Sequence, residues 1–307
     1  MDLINRGYEF YNWAETFADP RVVDWPLLAS PWPTVAIVLF YFLFILVIGP
    51  RFMANRAPID FGTFLPAYNF ALVALNYYIV KEALVGSYRA GYSYVCTPLR
   101  MHSYDPNDMM VANAVWWYYF SKIIELFDTV LFVLRKRERQ ISFLHVYHHS
   151  TMPLIWWIGA KWMPGGQAFV CVMLNSGVHV VMYSYYGLAA FGPKMQKYLW
   201  WKKYITMLQL VQFCLAIYHT SQSLYVSCRS PGWMHWSLIF YAFSMIILFG
   251  NFYVQAYLKK SKKKSDKVDN FTSGCEDKML RNAMKRDEMS LRMRTRNGTK
   301  PSKSKSS

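Results

Sequence analysis

The chain has 307 residues, of which 54% are hydrophobic and 18% aromatic, and its formal net charge at pH 7 is +16. These apolar and aromatic shares exceed the needs of a soluble domain and are typical of a chain that crosses a lipid bilayer. Residues 259–307 alone contribute +10 of the charge. Because a basic segment beside a membrane span serves topology and attraction to anionic lipid, we expect membrane lipid as a partner and no nucleic acid.

The predicted elements begin with a lumenal N-terminal segment, 1–32, which lacks the basic region and apolar core of a signal peptide. Seven stretches follow that are long enough to cross the hydrocarbon core as helices. We therefore predict an all-α, polytopic membrane protein with seven transmembrane helices at 33–258 and a basic cytosolic tail without stable structure at 259–307. The seven stretches are 33–49, 61–84, 112–134, 144–162, 168–190, 204–225 and 236–258.

The loops between these stretches indicate the orientation of the chain. If the N-terminus is lumenal, the basic clusters all fall on the cytosolic side, as the positive-inside rule requires, and the opposite loops carry far fewer. Six or eight spans would destroy this alternation. The cytosolic clusters are Arg51 with Arg56, then Arg135, Lys136, Arg137 and Arg139, then Lys194, Lys197, Lys202 and Lys203, and finally the tail.

Polar side chains recur at helical spacing in four consecutive stretches, although ionisable groups inside a membrane are costly. Steps of three and four residues place each set on one helical face, so the four faces together can line an interior chamber. Hydrogen bonding between helices is the alternative interpretation of each set. The sets are Lys122, Glu125, Asp128 and Thr129; His145, His148 and His149; Asn175, His179 and Tyr183; and Thr206, Gln209 and Gln212.

The three clustered histidines, in the motif HVYHH, allow two kinds of chemistry. Histidine boxes of this form hold iron in membrane desaturases and hydroxylases. Those enzymes resemble one another in needing about eight histidines, whereas this chain has 7 and no second box. The other chemistry uses no metal: imidazole acts as nucleophile or base and is oriented by carboxylates and amides.

Four motifs in register give a specific resemblance. HVYHH, KIIELFDT, NSGVHVVMYSYYG and TMLQLVQ are together similar to the signature set of the very-long-chain fatty-acid elongases, and the likeness extends over roughly residues 20–258. Within the family the chain resembles the type-4 members. The resemblance implies an endoplasmic-reticulum enzyme that condenses a long or very long, including polyunsaturated, acyl-CoA with malonyl-CoA. The products are 3-oxoacyl-CoA, CO2 and CoA, and no cofactor or metal is required.

The resemblance also implies roles for individual residues. His148 is expected to be the nucleophile that carries the acyl group, with His145 and His149 orienting it or handling protons. His179 and Asn175 are expected to assist malonyl decarboxylation or to stabilise the enolate. Glu125 and Asp128 would fix imidazole tautomers, and Lys122 would balance their charge or stabilise a developing oxyanion.

Binding roles follow from the same expectations. Helices 2–7 would enclose a tunnel for the acyl chain, and the basic loops at the cytosolic ends would meet the CoA phosphates. The partners implied are the reductases and the dehydratase that complete the elongation cycle. The expected substrate-binding residues are Tyr183, Thr206, Gln209, Gln212, Arg135, Lys136, Lys202 and Lys203.

A seven-helix receptor is a further alternative, because it shares the span count and the external N-terminus. That interpretation leaves the clustered histidines and acids without a purpose. The sequence fixes neither the preferred acyl length nor the oligomeric state.

Two features outside the membrane complete the predictions. Cys96 and Cys228 fall in loops on the oxidising lumenal side, so we predict a disulfide between them, with two free cysteines as the alternative. Lys303 and Lys305 resemble a cytosolic dilysine signal for retrieval to the endoplasmic reticulum, although a lysine-rich tail produces such a pair by chance in about one case in ten.

Overall fold

The computed structural model describes residues 2–259, and every regular element in that range is a helix. The chain divides into two units, Met1–Asn251 and Phe252–Ser307, and of the second only the beginning, with the π-helical turn Val254–Leu258, is described. The predicted tail, including Lys303 and Lys305, lies outside the described residues. The helices are α1 (Asp2–Glu15), α2 (Trp32–Met53), α3 (Phe64–Arg89), α4 (Pro106–Leu134), α5 (Phe143–Trp162), α6 (Ala168–Ala190), α7 (Lys202–Tyr225) and α8 (Gly232–Tyr253).

Four helical segments within the described range are long and apolar enough to cross a membrane: Trp32–Met53, Phe64–Arg89, Ala168–Ala190 and Gly232–Leu258. The protein is therefore an all-helical, multi-pass membrane protein. The other three long helices, α4, α5 and α7, coincide in position with the predicted stretches 112–134, 144–162 and 204–225. These are the helices whose polar faces lower their hydropathy, and they lie between the more apolar ones along the chain.

Local sequence fixes where the two helices that carry most of the polar residues begin. Asp105 precedes α4, and its side chain accepts a hydrogen bond from the backbone N–H of Asn107 at 2.8 Å, while Pro106 occupies the first helical position. Ser142 caps α5 in the same way, because its hydroxyl accepts from the N–H of His145 at 3.3 Å. The cap thus fixes the start of the helix at Phe143, two residues before the first histidine of the motif.

Neighbouring helices of the bundle pack side by side. α3 lies against both α4 and α6, α4 also contacts α5, and α6 contacts α7. Apolar side chains of α7 and α8 form a separate cluster around Phe213, Met245 and Phe249. α2 approaches α4 very closely at Gly49, where an added Cβ would stand 2.6 Å from a methyl carbon of Val133. Only glycine permits that approach.

The N-terminal segment is folded onto the end of α5. The indole N–H of Trp162 donates to the carbonyl of Ala14 at 2.8 Å, and that of Trp157 donates to Leu27 at the same distance. Lys161, whose side chain is fully buried, forms an ion pair with Glu15 at 2.6 Å. The segment 1–32 therefore contains a docked helix, α1, which the sequence analysis did not anticipate.

The structure contains the predicted disulfide. The sulfurs of Cys96, in the α3–α4 loop, and Cys228, in the α7–α8 loop, are 2.00 Å apart, and their Cα atoms are 5.6 Å apart. Gln167 braces the same region, because its side-chain amide donates to the carbonyl of Val95 at 2.8 Å. The bond thus joins two loops at one end of the bundle.

We expect peptides containing Cys96 and Cys228 to be recovered as one linked species by mass spectrometry of non-reduced protein from membranes. A cross-link over so long a loop stabilises a soluble protein by about 4–5 kcal/mol, and the gain is smaller here because a membrane already restricts the unfolded chain. The double variant Cys96→Ser/Cys228→Ser should therefore melt at a lower temperature. Rapid alkylation of either cysteine in the native protein would contradict the bond.

Candidate functional site

One face of α4 carries four polar side chains into the interior of the bundle. Lys122, Glu125, Asp128 and Thr129 are all buried, with exposed fractions between 0% and 9%. Their spacing of three, six and seven residues places them on one helical face, as the sequence predicts. Burial of two acids and a lysine in a bilayer requires partners, because an unpaired charge there is very costly.

Lys122, Glu125 and His179 form a closed triangle of polar contacts between α4 and α6. The Lys122 ammonium donates to both carboxylate oxygens of Glu125, at 2.9 and 3.1 Å. His179 Nδ1 lies 3.1 Å from Glu125 Oε1 and 3.4 Å from Lys122 Nζ. Glu125 therefore compensates the buried ammonium and at the same time holds the imidazole of His179 in a fixed orientation.

An amide pair extends this triangle toward α7. The hydroxyl of Tyr118 donates to Asn175 Oδ1 at 2.7 Å, so the Asn175 amide nitrogen is free to donate to Gln212 Oε1 at 3.2 Å. The ring of Tyr118 also lies beneath Lys122, with the ammonium 4.5 Å from the ring centroid. The site consequently has one continuous network of contacts across α4, α6 and α7.

Asp128 has a different partner from the one expected. Its carboxylate accepts a hydrogen bond from the hydroxyl of Tyr183 at 2.7 Å, rather than one from an imidazole. Tyr183 is fully buried and stands one helical turn from His179, with the two rings 5.7 Å apart. The hydroxyl of Tyr183 is thus engaged within the protein, which supports a role in holding the site together.

The three histidines of α5 face the same interior region. The His145 and His149 rings are 4.1 Å apart between centroids, and those of His148 and His149 are 5.4 Å apart. His148 lies within electrostatic range of His179, Lys122 and Glu125. Its Nδ1 is buried and has no hydrogen-bond partner among the described residues. That nitrogen is not committed to any structural contact.

His145 is held by a residue of α4. Its Nε2 lies 2.8 Å from the hydroxyl of Thr129, and the hydroxyl of Tyr41 in α2 lies 3.0 Å from the same Thr129 oxygen. Tyr118 and Tyr41 are absent from the residues selected by sequence. Tyr118 stands one helical step before Lys122 and could have been included in its stripe, whereas nothing in the apolar sequence of α2 distinguishes Tyr41 from a lipid-facing aromatic residue.

The remaining predicted binding residues lie in two settings. Thr206 is buried, and the Gln209 amide contacts the sulfur of Met182 at 3.6 Å. Arg135 follows the last residue of α4; partial burial, followed by repulsion from Arg137, lowers the pKa of its guanidinium, while Asp60 opposes the shift. Lys136, Lys202 and Lys203 are exposed.

Taken together, the fold and the buried cluster define a class of protein. A multi-pass helical chain that gathers imidazoles, an ammonium and carboxylates inside its bundle is a membrane enzyme, because these groups supply nucleophiles, bases and charge stabilisation. Comparisons with known proteins identify the family. A family model described as "ELO: GNS1/SUR4 family" matches residues 26–265.

Very long chain fatty acid elongase 4 of Mus musculus is 54% identical over 264 residues, which are 86% of this chain and 84% of the relative. The Homo sapiens protein of the same name is 53% identical over 265 residues, with the same coverage. Very long chain fatty acid elongase 1 of Homo sapiens is 45% identical over 250 residues, 79% of this chain and 87% of the relative. The chain therefore belongs to the ELO family of very long chain fatty acid elongases, and it is an acyltransferase of the 3-oxoacyl-CoA synthase type.

Proposed function

We propose that this enzyme condenses a long or very long chain acyl-CoA with malonyl-CoA through an acyl group carried on His148. The observation that carries the proposal is the position of His148, whose buried Nδ1 has no partner among the described residues and which lies within electrostatic range of the Lys122–Glu125–His179 triangle. An uncommitted imidazole beside fixed charges suits covalent catalysis.

The first half-reaction transfers the acyl group. A lone pair of the neutral His148 imidazole attacks the thioester carbonyl, the C–S bond breaks, and CoA departs as a thiolate that takes up the imidazole proton. The oxyanion that forms on the carbonyl during attack requires a positive group nearby, and the buried Lys122 ammonium is suited to that task. The products of this step are acyl-imidazole and free CoA.

The second half-reaction forms the carbon–carbon bond. Malonyl-CoA loses CO2, and the electron pair of the broken bond forms an enolate on the thioester. The α-carbon of this enolate attacks the acyl carbonyl, the bond to the imidazole breaks, and 3-oxoacyl-CoA leaves. The released His148 nitrogen takes up one proton from solvent, which replaces the proton given to CoA in the first half-reaction and restores the neutral imidazole. His179, held by Glu125, and the Asn175 amide are the groups proposed to stabilise the enolate, because both are fixed before the reaction by hydrogen bonds.

The proposal includes an arrangement in the membrane. Seven helices cross the bilayer, the N-terminus is lumenal, and the C-terminus is cytosolic, because basic residues then concentrate on one side. The second to seventh of these membrane-spanning helices surround the acyl chain of the substrate, and polyunsaturated acyl chains are among those accepted. Thr206, Gln209 and Gln212 lie along the chamber. The cytosolic ends present Arg135, Lys136, Lys202 and Lys203 to the CoA phosphates.

Location and partners follow from the same proposal. The enzyme resides in the endoplasmic reticulum, with Lys303 and Lys305 as its retrieval signal. It works beside the reductases and the dehydratase that process 3-oxoacyl-CoA.

Incorporation of radiolabelled malonyl-CoA by the purified protein tests the function. We expect label to enter a 3-oxoacyl product only when a long-chain acyl-CoA is supplied, and an iron chelator should not change the rate. Loss of activity with the chelator, restored by added iron, would favour a histidine-box iron enzyme. Absence of incorporation over a range of acyl-CoA lengths would overturn the proposal.

A further inference from the structure

Tyr41 connects a helix outside the polar set to the histidine cluster. Its hydroxyl lies 3.0 Å from Thr129 Oγ1, which in turn lies 2.8 Å from His145 Nε2. Tyr41 is 3% exposed and Thr129 is fully buried, so this chain of hydroxyl groups is screened from water and lipid. The three residues belong to α2, α4 and α5, and Tyr41 is the one that the sequence did not indicate as part of the site.

The direction of the hydrogen bonds decides what the contact does. Suppose that His145 donated to Thr129 and that Thr129 donated to Tyr41. The phenol proton of Tyr41 would then have no acceptor, because Thr129 is its hydrogen-bond partner among the described residues. A buried donor without a partner has lost its hydrogen bond to water and gains none in the protein, which is unfavourable. In the opposite direction Tyr41 donates to Thr129 and Thr129 donates to His145 Nε2, so both hydroxyl protons are used. The donor left over is then His145 Nδ1–H, and that nitrogen is not among the buried polar atoms that lack a partner.

We infer that Tyr41 is a positioning residue, which acts through Thr129 to keep the His145 imidazole protonated on Nδ1 and unprotonated on Nε2. The tautomer of a catalytic imidazole determines which of its nitrogens can give or accept a proton. With Nε2 occupied, Nδ1–H is the donor that remains on His145, whose ring lies 4.1 Å from that of His149 between centroids, at an interplanar angle of 38°. The effect on turnover rests on the proposed function, whereas the tautomer itself does not.

The surroundings of Tyr41 hold its hydroxyl in place. Its ring packs with Ile45 of α2 and with Leu126 and Val133 of α4 in one buried apolar cluster. The close approach of α2 to α4 at Gly49 lies two turns further along the same helix. On the opposite side, the ring of Phe132 lies 5.2 Å from that of His145. Both ends of the hydroxyl chain are therefore fixed by packing.

Two substitutions and their combination test this inference. Tyr41→Phe removes only the first hydroxyl, and Thr129→Val removes the second at nearly constant volume. We expect each to lower kcat by about 10-fold, which is less than the roughly 100-fold or more that a proton-transfer group itself contributes, because Tyr41 and Thr129 only position such a group. Because Tyr41 acts through Thr129, the double variant should be no slower than Thr129→Val alone.

Tyr119→Phe is the matched control, because the Tyr119 hydroxyl makes the other α2–α4 hydroxyl contact, with Thr34, and that contact leads to no histidine. It should cost similar stability and leave kcat unchanged. Equal loss of kcat in Tyr119→Phe, or additive losses in the double variant, would show that Tyr41 merely supports helix packing.

The tautomer is read directly by 15N NMR of histidine-labelled protein, with the His145 signals identified by their loss in His145→Gln. We expect the wild-type Nε2 to resonate as an unprotonated nitrogen and to shift toward the protonated position in Tyr41→Phe. Unchanged shifts would overturn the inference. This measurement requires no turnover, so it tests the tautomer even in a protein that does not incorporate malonyl-CoA. Failure to incorporate malonyl-CoA would count against the proposed function and not against the tautomer.

Discussion

Replacing His148 by Ala is expected to reduce condensation by at least about 1,000-fold, because it removes the atom that carries the acyl group and no neighbouring side chain occupies its position. The protein should remain folded in the membrane. The buried Nδ1 of His148 makes no hydrogen bond to the described residues, so the substitution breaks no hydrogen bond at that nitrogen. Turnover of purified variant protein with malonyl-CoA measures the effect.

His102→Ala is a suitable control for this substitution, since His102 is an exposed histidine in the α3–α4 loop. It should retain normal turnover. If His148→Ala kept a tenth of the wild-type rate, the covalent role would be wrong, and His148 would at most orient a substrate.

Breaking the Lys122–Glu125 pair is expected to have the second largest effect. Both side chains are nearly inaccessible, at 1% and 2% exposure, and Lys122→Met would leave the Glu125 carboxylate buried with only His179 to compensate it. Removal of one partner from a buried ion pair costs about 3–5 kcal/mol. We expect a large drop in melting temperature together with loss of turnover.

The double variant Lys122→Met/Glu125→Gln separates stability from catalysis. Because it removes both charges, it should recover most of the melting temperature, yet it should stay inactive, since His179 has then lost the carboxylate that orients it. Lys161→Met provides a control: it also breaks the ion pair of a fully buried lysine, here with the partly exposed Glu15, but the folded protein should keep its normal kcat. Recovery of turnover in the double variant would show that the Lys122–Glu125 pair is only structural.

Helical periodicity predicted the inward face of α4 correctly. Residues three and four apart share a face, so the sequence alone groups Lys122, Glu125, Asp128 and Thr129, and the structure buries all four. The same reasoning groups Asn175, His179 and Tyr183, which are also buried. Charges that cannot face lipid must face the interior, and this physical constraint makes the pattern informative.

The pairing within the site was less predictable. Asp128 could be assigned to an imidazole or to a tyrosine, because the choice depends on how far α4 and α6 are rotated about their axes. Tyr41 could not be assigned to the site at all, since contact between α2 and α4 depends on the close approach at Gly49. Hydropathy alone does not mark α4, α5 and α7 as spans, because their polar side chains reduce the membrane-spanning signal.

The formation of an acyl-enzyme in the absence of malonyl-CoA tests the central claim most directly. Purified protein incubated with a long-chain acyl-CoA alone should release one CoA per active molecule. Its intact mass should increase by one acyl group, which peptide mapping should place on His148. The contradicting result is that CoA is released only after malonyl-CoA is added and that no acylated protein forms. The acyl group would then pass directly from one substrate to the other, without a covalent intermediate on the enzyme.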